Sequence, residues 1–377
     1  MRSTFAVTLA VVLALLVRAP AAAQPMQEFR GLYVDAFHPG LTNHEEVTQM
    51  VKAAKEANFN ALFVQVRKRG DAYYNASLEP KAASVAADYD PLADVIRQAH
   101  AAGLEVHAWL AVYEVAHTSY TLTSNHVAKA HPEWLTRTRD GKTDLPGGRI
   151  FVDPGLPAVQ DHIVAVVRDI LTHYDVDGIH LEDPGYPSES GYNAGSVELF
   201  NQETGKSGNP EDTDEAWRQW RSSQVTKLIA KIHDAVQEIK PKVRLSANVA
   251  SHRPADTVKR SLQEWDVWAS RKLVDFLVPM LSAAGSVMPR LASEASASAA
   301  GRHIYMGIGT YKLTKSRAVE EISAVRGSGT QGVVLFSYHY LQLKPDETDR
   351  AKMADLASVF AEPATVPAMT WKQEEEK

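Results

Sequence analysis

Eight short apolar runs, separated by stretches with helical spacing of apolar residues, are what most restrict the fold of this 377-residue chain. The runs are FRGLYVDA from Phe29, ALFVQVR from Ala61, LEVHAWLAV from Leu104, GIHLED from Gly178, VRLSANV from Val243, FLVPML from Phe276, IYMGIGTY from Ile304 and VVLFSYHY from Val333. Parallel strand pairs need a crossover, usually a helix, and strands buried on both faces read as near-continuous apolar runs. The intervening segments supply the helices. DPLADVIRQAHAAG places Asp90 at a cap, Pro91 in the first turn and Gly103 at the close. EEVTQMVKAAKEAN, LPAVQDHIVAVVRDILTHY and EAWRQWRSSQVTKLIAKIHDAVQEIK repeat the periodicity. Eight strand–helix units predict an α/β chain closed as a (β/α)8 TIM barrel, with an open doubly wound sheet as the alternative.

Two units are much longer than the rest. The insertions after the third and fourth strands, Tyr113 to Gly155 and Pro184 to Asp214, are rich in Pro, Gly, Ser, Asn and Tyr. Loops that follow strands gather on the C-terminal face of a barrel, where such folds build their sites. The barrel is expected over residues 28–361, with EPATVPAMTWKQEEEK, residues 362–377, as a disordered tail. At the other end a basic start, the apolar FAVTLAVVLALLV and the small-residue RAPAAAQ predict a secretory signal over residues 1–23. The chain has no cysteine, so neither disulfides nor a lipid-modified cysteine is open to it. No later segment reaches the ~20 apolar residues of a membrane span. These features predict a secreted or periplasmic, soluble, monomeric protein without a lipid anchor or stable membrane insertion. A formal net charge of -6 and the lack of a long Lys/Arg block argue against a nucleic-acid partner.

Chemistry is expected at the strand ends. Alternate side chains of a barrel strand face the packed interior and the helix layer. In GIHLED, Ile179 and Leu181 suit the helices, leaving His180 and Glu182 inward and Asp183 at the exit. An inward carboxylate at a barrel mouth is costly to desolvate and needs partners or a task. Similar positions hold Asp35 after the first strand, Arg67 and Asp71 after the second, and His107, Trp109, Tyr113 and Glu114 on the third. Asp153 follows the first insertion and Tyr186 lies in the second. Each has a bland alternative: a salt bridge or loop cap for Glu182 and Asp183, a helix cap for Asp153, a satisfied core position for Arg67, His107 and His180. Together, polar and aromatic groups converging on one face suggest a carbohydrate site, in which carboxylates act as acid and as nucleophile or base. Glu182 and Asp183 are the expected catalytic pair, and Arg67 and His107 are expected in the same cleft, among the substrate-binding groups.

From Phe29 to Leu341 the chain also resembles the glycosyl-hydrolase-like family ten. The resemblance rests on FRGLYVDAF, FNALFVQVRKRGDAYY, SLEP, DPLADVIRQAHAAGLEVHAW, HPEW, VDPGLPAVQDHI, YDVDGIHLEDPGYP, RQWRSSQV and GVVLFSYHYL, in that order. It implies a bacterial envelope (β/α)8 barrel that hydrolyses glycans, with an acidic centre after the fourth strand; the family includes a hydrolase of peptidoglycan glycan strands. The family usually reads Asp-Asp-Tyr where this chain has Glu182, Asp183 and Pro184. The stretch is also similar to the Asp-Gly-x-Arg-x-Asp strand of the amylase group, which would align His180 with the arginine and Glu182 with the nucleophile. Two departures point to an altered substrate or to lost activity: Ala111, Val112, Tyr113 and Glu114 replace Asn-Pro-Tyr-Arg, and Met280 replaces a glutamine.

Two other functions fit the same residues. A non-catalytic glycan-binding barrel would use Trp109, Tyr113, Tyr186 and FSYHY as stacking rings. A metal-dependent hydrolase would use His107 and His180, although the first strand lacks the His-x-His pair common in metal-dependent barrels. The leading reading requires a polysaccharide or oligosaccharide substrate and no cofactor or metal.

Overall fold

The computed structural model describes residues 26–251, 261–281, 287–342 and 351–373, so the predicted signal segment lies outside the described residues. Eight parallel strands close into a barrel: β1 (Phe29–Val34), β2 (Ala61–Arg67), β3 (Glu105–Ala111), β7 (Gly178–Glu182), β8 (Arg244–Ala250), β9 (Phe276–Leu281), β10 (His303–Gly309) and β11 (Gly332–Phe336). β1 pairs with β2 on one side, Leu32 opposite Leu62, and with β11 on the other, Arg30 opposite Val333. That closure rules out the open sheet, and all eight apolar runs become barrel strands.

Alternation explains both layers of the core. Leu62, Val64 and Val66 of β2 join the outer cluster against the helices, while Ala61 and Phe63 join the interior cluster with Phe29, Tyr33, Trp109, Phe276 and Tyr305. The interior is strongly aromatic, with Phe29 and Tyr305 stacked at 4.0 Å. Gly178 is required by close approach: a Cβ there would lie 2.0 Å from Nδ1 of His107. Among the surrounding helices, α2 (Pro91–Ala101) starts as its sequence predicts, with Asp90 accepting from the amide of Ala93, and Gly103 beyond its end takes a φ of +71°.

The two long insertions wall the mouth. The first carries a small antiparallel sheet of β4 (Glu114–His117), β5 (Asp144–Leu145) and β6 (Arg149–Phe151). The second carries α5 (Ala194–Thr204). They are clasped at Asp153, which accepts from Thr136 at 2.8 Å, Ser196 at 2.7 Å and the amide of Gly155 at 2.9 Å. The helix beginning at Pro157, α4 (Pro157–His173), has Leu156 at its cap position, so Asp153 is not its cap.

The expectation of a disordered tail is corrected over residues 362–373. Thr365 pairs with Gln27, Met369 is buried, and Trp371 donates to Asp275 at 2.9 Å while lying edge-on to His303. Polar composition hid two apolar anchors that close the N-terminal end of the barrel; residues 374–377 lie outside the described residues. No described helix is long and apolar enough to cross a membrane.

Candidate active site

Glu182 ends β7 at the barrel mouth, above His180 on the same inward face. His180 is fully buried, its Nε2 paired with the Tyr33 hydroxyl at 2.8 Å and its Nδ1 with the Ser246 hydroxyl at 2.9 Å. Burial, with the neighbouring His107, lowers its pKa well below the ordinary histidine value, so the ring is neutral. This ring floors the site.

The Glu182 carboxylate is gripped from two neighbouring strands. Trp109 of β3 donates its indole N–H to Oε2 at 3.0 Å, and Gln65 of β2 donates its amide to the same oxygen at 3.2 Å. Burial raises the pKa of Glu182 to about 8, the charges of Asp183 and Glu114 add to the shift, and the Trp109 and Gln65 bonds only partly oppose it. The carboxyl therefore keeps its proton at neutral pH. With Oε2 occupied by two N–H donors, that proton belongs on Oε1.

Asp183 follows with a φ of +41°, a left-handed conformation that Asp tolerates better than most residues. Its amide is held by the side chain of Asn248 on β8. The turn takes Asp183 off the strand alternation and exposes it to the cleft. The protein walling it raises its pKa, Arg149 opposes this and Glu114 adds to it. Glu114 links to Arg69 at 2.7 Å and to Arg149 at 2.5 Å.

Two hollows of about 310 and 360 Å³ share Asp183. The first is lined by Tyr33, Trp109, Glu182, Asn248, Met280, Tyr311 and Phe336. The second runs between the insertions past Arg149, Phe151, Tyr186 and Gln263. An elongated cleft with a neutral carboxyl beside a second carboxyl can donate a proton and support a developing positive charge.

Several expected cleft residues lie elsewhere. Arg67 is fully buried on the side of α4, its guanidinium bound to Glu79 at 2.7 Å and to the carbonyls of Ala111 and Val112. Glu79 in turn bonds His162 of α4 at 3.1 Å; burial pushes its carboxyl up, but Arg67 and His162 bring it down to about 2. The β2–β3 register shifts between Gln65 and Arg67, so the alternation that would have turned Arg67 inward breaks one residue earlier. His107 does face inward but lies in the aromatic floor, stacked on Phe63 at 4.8 Å and near Glu105 at 3.3 Å. The expectation that Arg67 and His107 line the Glu182 cleft is thus corrected.

Asp35 is buried between His38 and Ser337. Asp71 accepts from the Arg69 amide and borders a separate groove. Tyr113 and Asp153 are buried in the base of the insertions, and Trp109 and Tyr186 reach the cleft only by their edges. Tyr33, Gln65, Asn248, Arg149, Tyr311 and Phe336 were missed. For Tyr33 and Gln65 the signal was present: each sits one alternation step before the strand-end residue, Asp35 or Arg67, that the sequence favours.

Comparison with known proteins agrees with this architecture. The model of a family described as "Glycosyl hydrolase-like 10" matches residues 28–323. The glycosyl hydrolase YngK of Bacillus subtilis (strain 168) is 25% identical over 369 residues, covering 87% of this chain and 69% of that protein. The glycosyl hydrolase DigH of Escherichia coli (strain K12) is 25% identical over 305 residues, covering 71% and 66%. The chain thus spans about two thirds of the length of these relatives. Among solved structures, the glycoside hydrolase domain of PgaB (BpsB) from Bordetella bronchiseptica superposes with a TM-score of 0.66 at 12% identity, covering 91% of this chain and 100% of that one. An α-L-fucosidase from Paenibacillus thiaminolyticus gives 0.65 at 16% identity, covering 89% and 49%. At these identities the structures speak for the fold.

Proposed function

Because the chain belongs to the glycosyl hydrolase-like 10 family, we propose that it hydrolyses glycosidic bonds of a polysaccharide, with the glycan strands of peptidoglycan as the first candidate, and that it does so outside the cytoplasm. The observation that carries the reading is the Glu182 carboxyl, held by Trp109 and Gln65 with its pKa raised to about 8. Glu182 serves as the general acid, passing its Oε1 proton to the leaving glycosidic oxygen. Asp183, open to the same cleft, serves as the carboxylate that attacks the anomeric carbon, activates water or stabilises positive charge there; burial and Glu114 raise its pKa, and the Arg149 charge opposes that rise. The neutral His180 and Tyr33 below them support the site without adding charge. Export is supported by the basic, apolar and small-residue order of residues 1–23, and a monomer is the proposed working form.

The test is release of new reducing ends from peptidoglycan glycan chains and from a panel of other polysaccharides. The parent protein should release them from at least one, and Glu182→Gln should not. Binding without release by the parent protein would favour the non-catalytic glycan-binding barrel instead.

A further inference from the structure

A second groove, of about 300 Å³, opens between the segment that follows β2, from Lys68 to Ser84, and the Ala116 to His126 part of the first insertion. Lys68 and Arg69 line it, three and four residues beyond the Gln65 that holds Glu182. The Arg69 guanidinium lies 4.8 Å from the centre of the Phe37 ring and 5.1 Å from that of Tyr120. Both rings stay largely open to solvent, at 48% and 53% exposed. Two rings around one guanidinium set a fixed cation within an apolar surface.

The charge around this groove runs against that of the chain. Lys68, Arg69 and Lys81 line it with Asp71 as the carboxylate, in a protein of formal charge -6. The Lys68 ammonium is bound to the Ala36 carbonyl and the Tyr73 hydroxyl, both neutral. Arg69 gives Nε to Glu114, and among the described residues its two Nη atoms donate to nothing. Glu114 also holds Arg149, which lines the hollow around Asp183. An ion-pair chain therefore joins the groove to the cleft.

We propose that this groove is a glycan subsite for a sugar unit carrying a carboxylate, adjacent to the unit held at Glu182, with Arg69 as the carboxylate fork and Tyr120, which lines the groove, as the stacking face. A guanidinium edge matches a carboxylate in two parallel bonds, and a saccharide presents C–H faces to a ring. The proposal deepens the hydrolase reading and rests on it for the position of the neighbouring unit. The carboxylate has two sources in polysaccharides, the C6 of a uronic acid or the lactyl ether of muramic acid.

Calorimetric binding to the Glu182→Gln protein separates this question from turnover. The probes are hyaluronan oligosaccharides, peptide-free peptidoglycan glycan chains, and the carboxyl-reduced form of each. At least one acidic probe should bind about tenfold or more tightly than its reduced form, with the difference shrinking at high salt. Arg69→Gln should erase the difference, and Tyr120→Ala, at an exposed position that folding does not depend on, should weaken acidic and reduced forms alike. Which acidic probe is preferred identifies the source. Equal binding of acidic and reduced forms, no binding of any probe, or an unchanged preference in Arg69→Gln overturns the subsite. Binding with this discrimination but no bond cleavage by the parent protein would sink the hydrolase reading and leave the subsite standing.

Discussion

Trp109 pairs in register with His180, yet its indole reaches past that residue to Oε2 of Glu182, 3.0 Å away. A ring two residues below the strand end thereby fixes the carboxyl at the strand end, and with Gln65 it decides which oxygen keeps the proton. Glu182→Gln should cut glycan cleavage at least ~100-fold, the usual contribution of an acid–base group. Rates on a cleaved polysaccharide check this; near-parental rates would move the chemistry to Asp183 or elsewhere.

The same substitution should stabilise the fold at neutral and alkaline pH. A carboxyl whose folded pKa of about 8 exceeds its unfolded value near 4.5 binds its proton more tightly in the native state. Stability is therefore lost as pH rises between those two values, and Gln removes the loss. The gain should approach ~4 kcal/mol at pH 8, at ~1.4 kcal/mol per unit of pKa difference, and should vanish below pH 4. Urea unfolding at the two pH values measures it.

Trp109→Phe should move the alkaline limb of the pH–rate profile upward. The indole bond favours the anion of Glu182, so its loss raises the pKa further and keeps the acid protonated to higher pH. The smaller ring also leaves a void, costing ~1–3 kcal/mol of stability. A limb that stayed in place would show that Trp109 only fills space.

Arg67→Met should destabilise the barrel by ~3–5 kcal/mol, because it strands the buried Glu79 carboxylate. Arg67→Met with Glu79→Leu should recover much of that loss. Denaturant midpoints of the single and double variants decide between a structural pair and a substrate contact, since the latter would leave stability unchanged in both.

Ending the chain after Ala361 should lower stability by ~2–4 kcal/mol through loss of the Met369 and Trp371 burial. It also strips Arg30 of the Glu362 carbonyl at 2.7 Å and Asn60 of the Ala364 carbonyl at 3.1 Å. A melting curve that matched the full chain would mean that the tail is an ornament on the barrel floor.

The fold was legible because strand and crossover leave separate periodicities, and all eight apolar runs became strands. The site was legible only in part. Alternation placed His180 and Glu182 inward and chance of loop geometry placed Asp183 at the same cleft, but alternation fails where a register shift intervenes, as it does before Arg67. It also says nothing of height along the barrel axis, and so it could not distinguish His107 in the floor from Trp109 at the mouth. Asn248 and Arg149 come from a strand and an insertion whose positions over the cleft depend on tertiary packing alone.

The clasp at Asp153 bears on how such a protein can be altered. Thr136 belongs to one insertion and Ser196 to the other, and the Asn193 side chain adds bonds to the carbonyls of Glu133 and Leu135. Transplanting either insertion by itself into a related barrel would leave a buried aspartate facing strangers. The two walls are thus physically coupled, and a change in the width of the mouth has to be written into both at once.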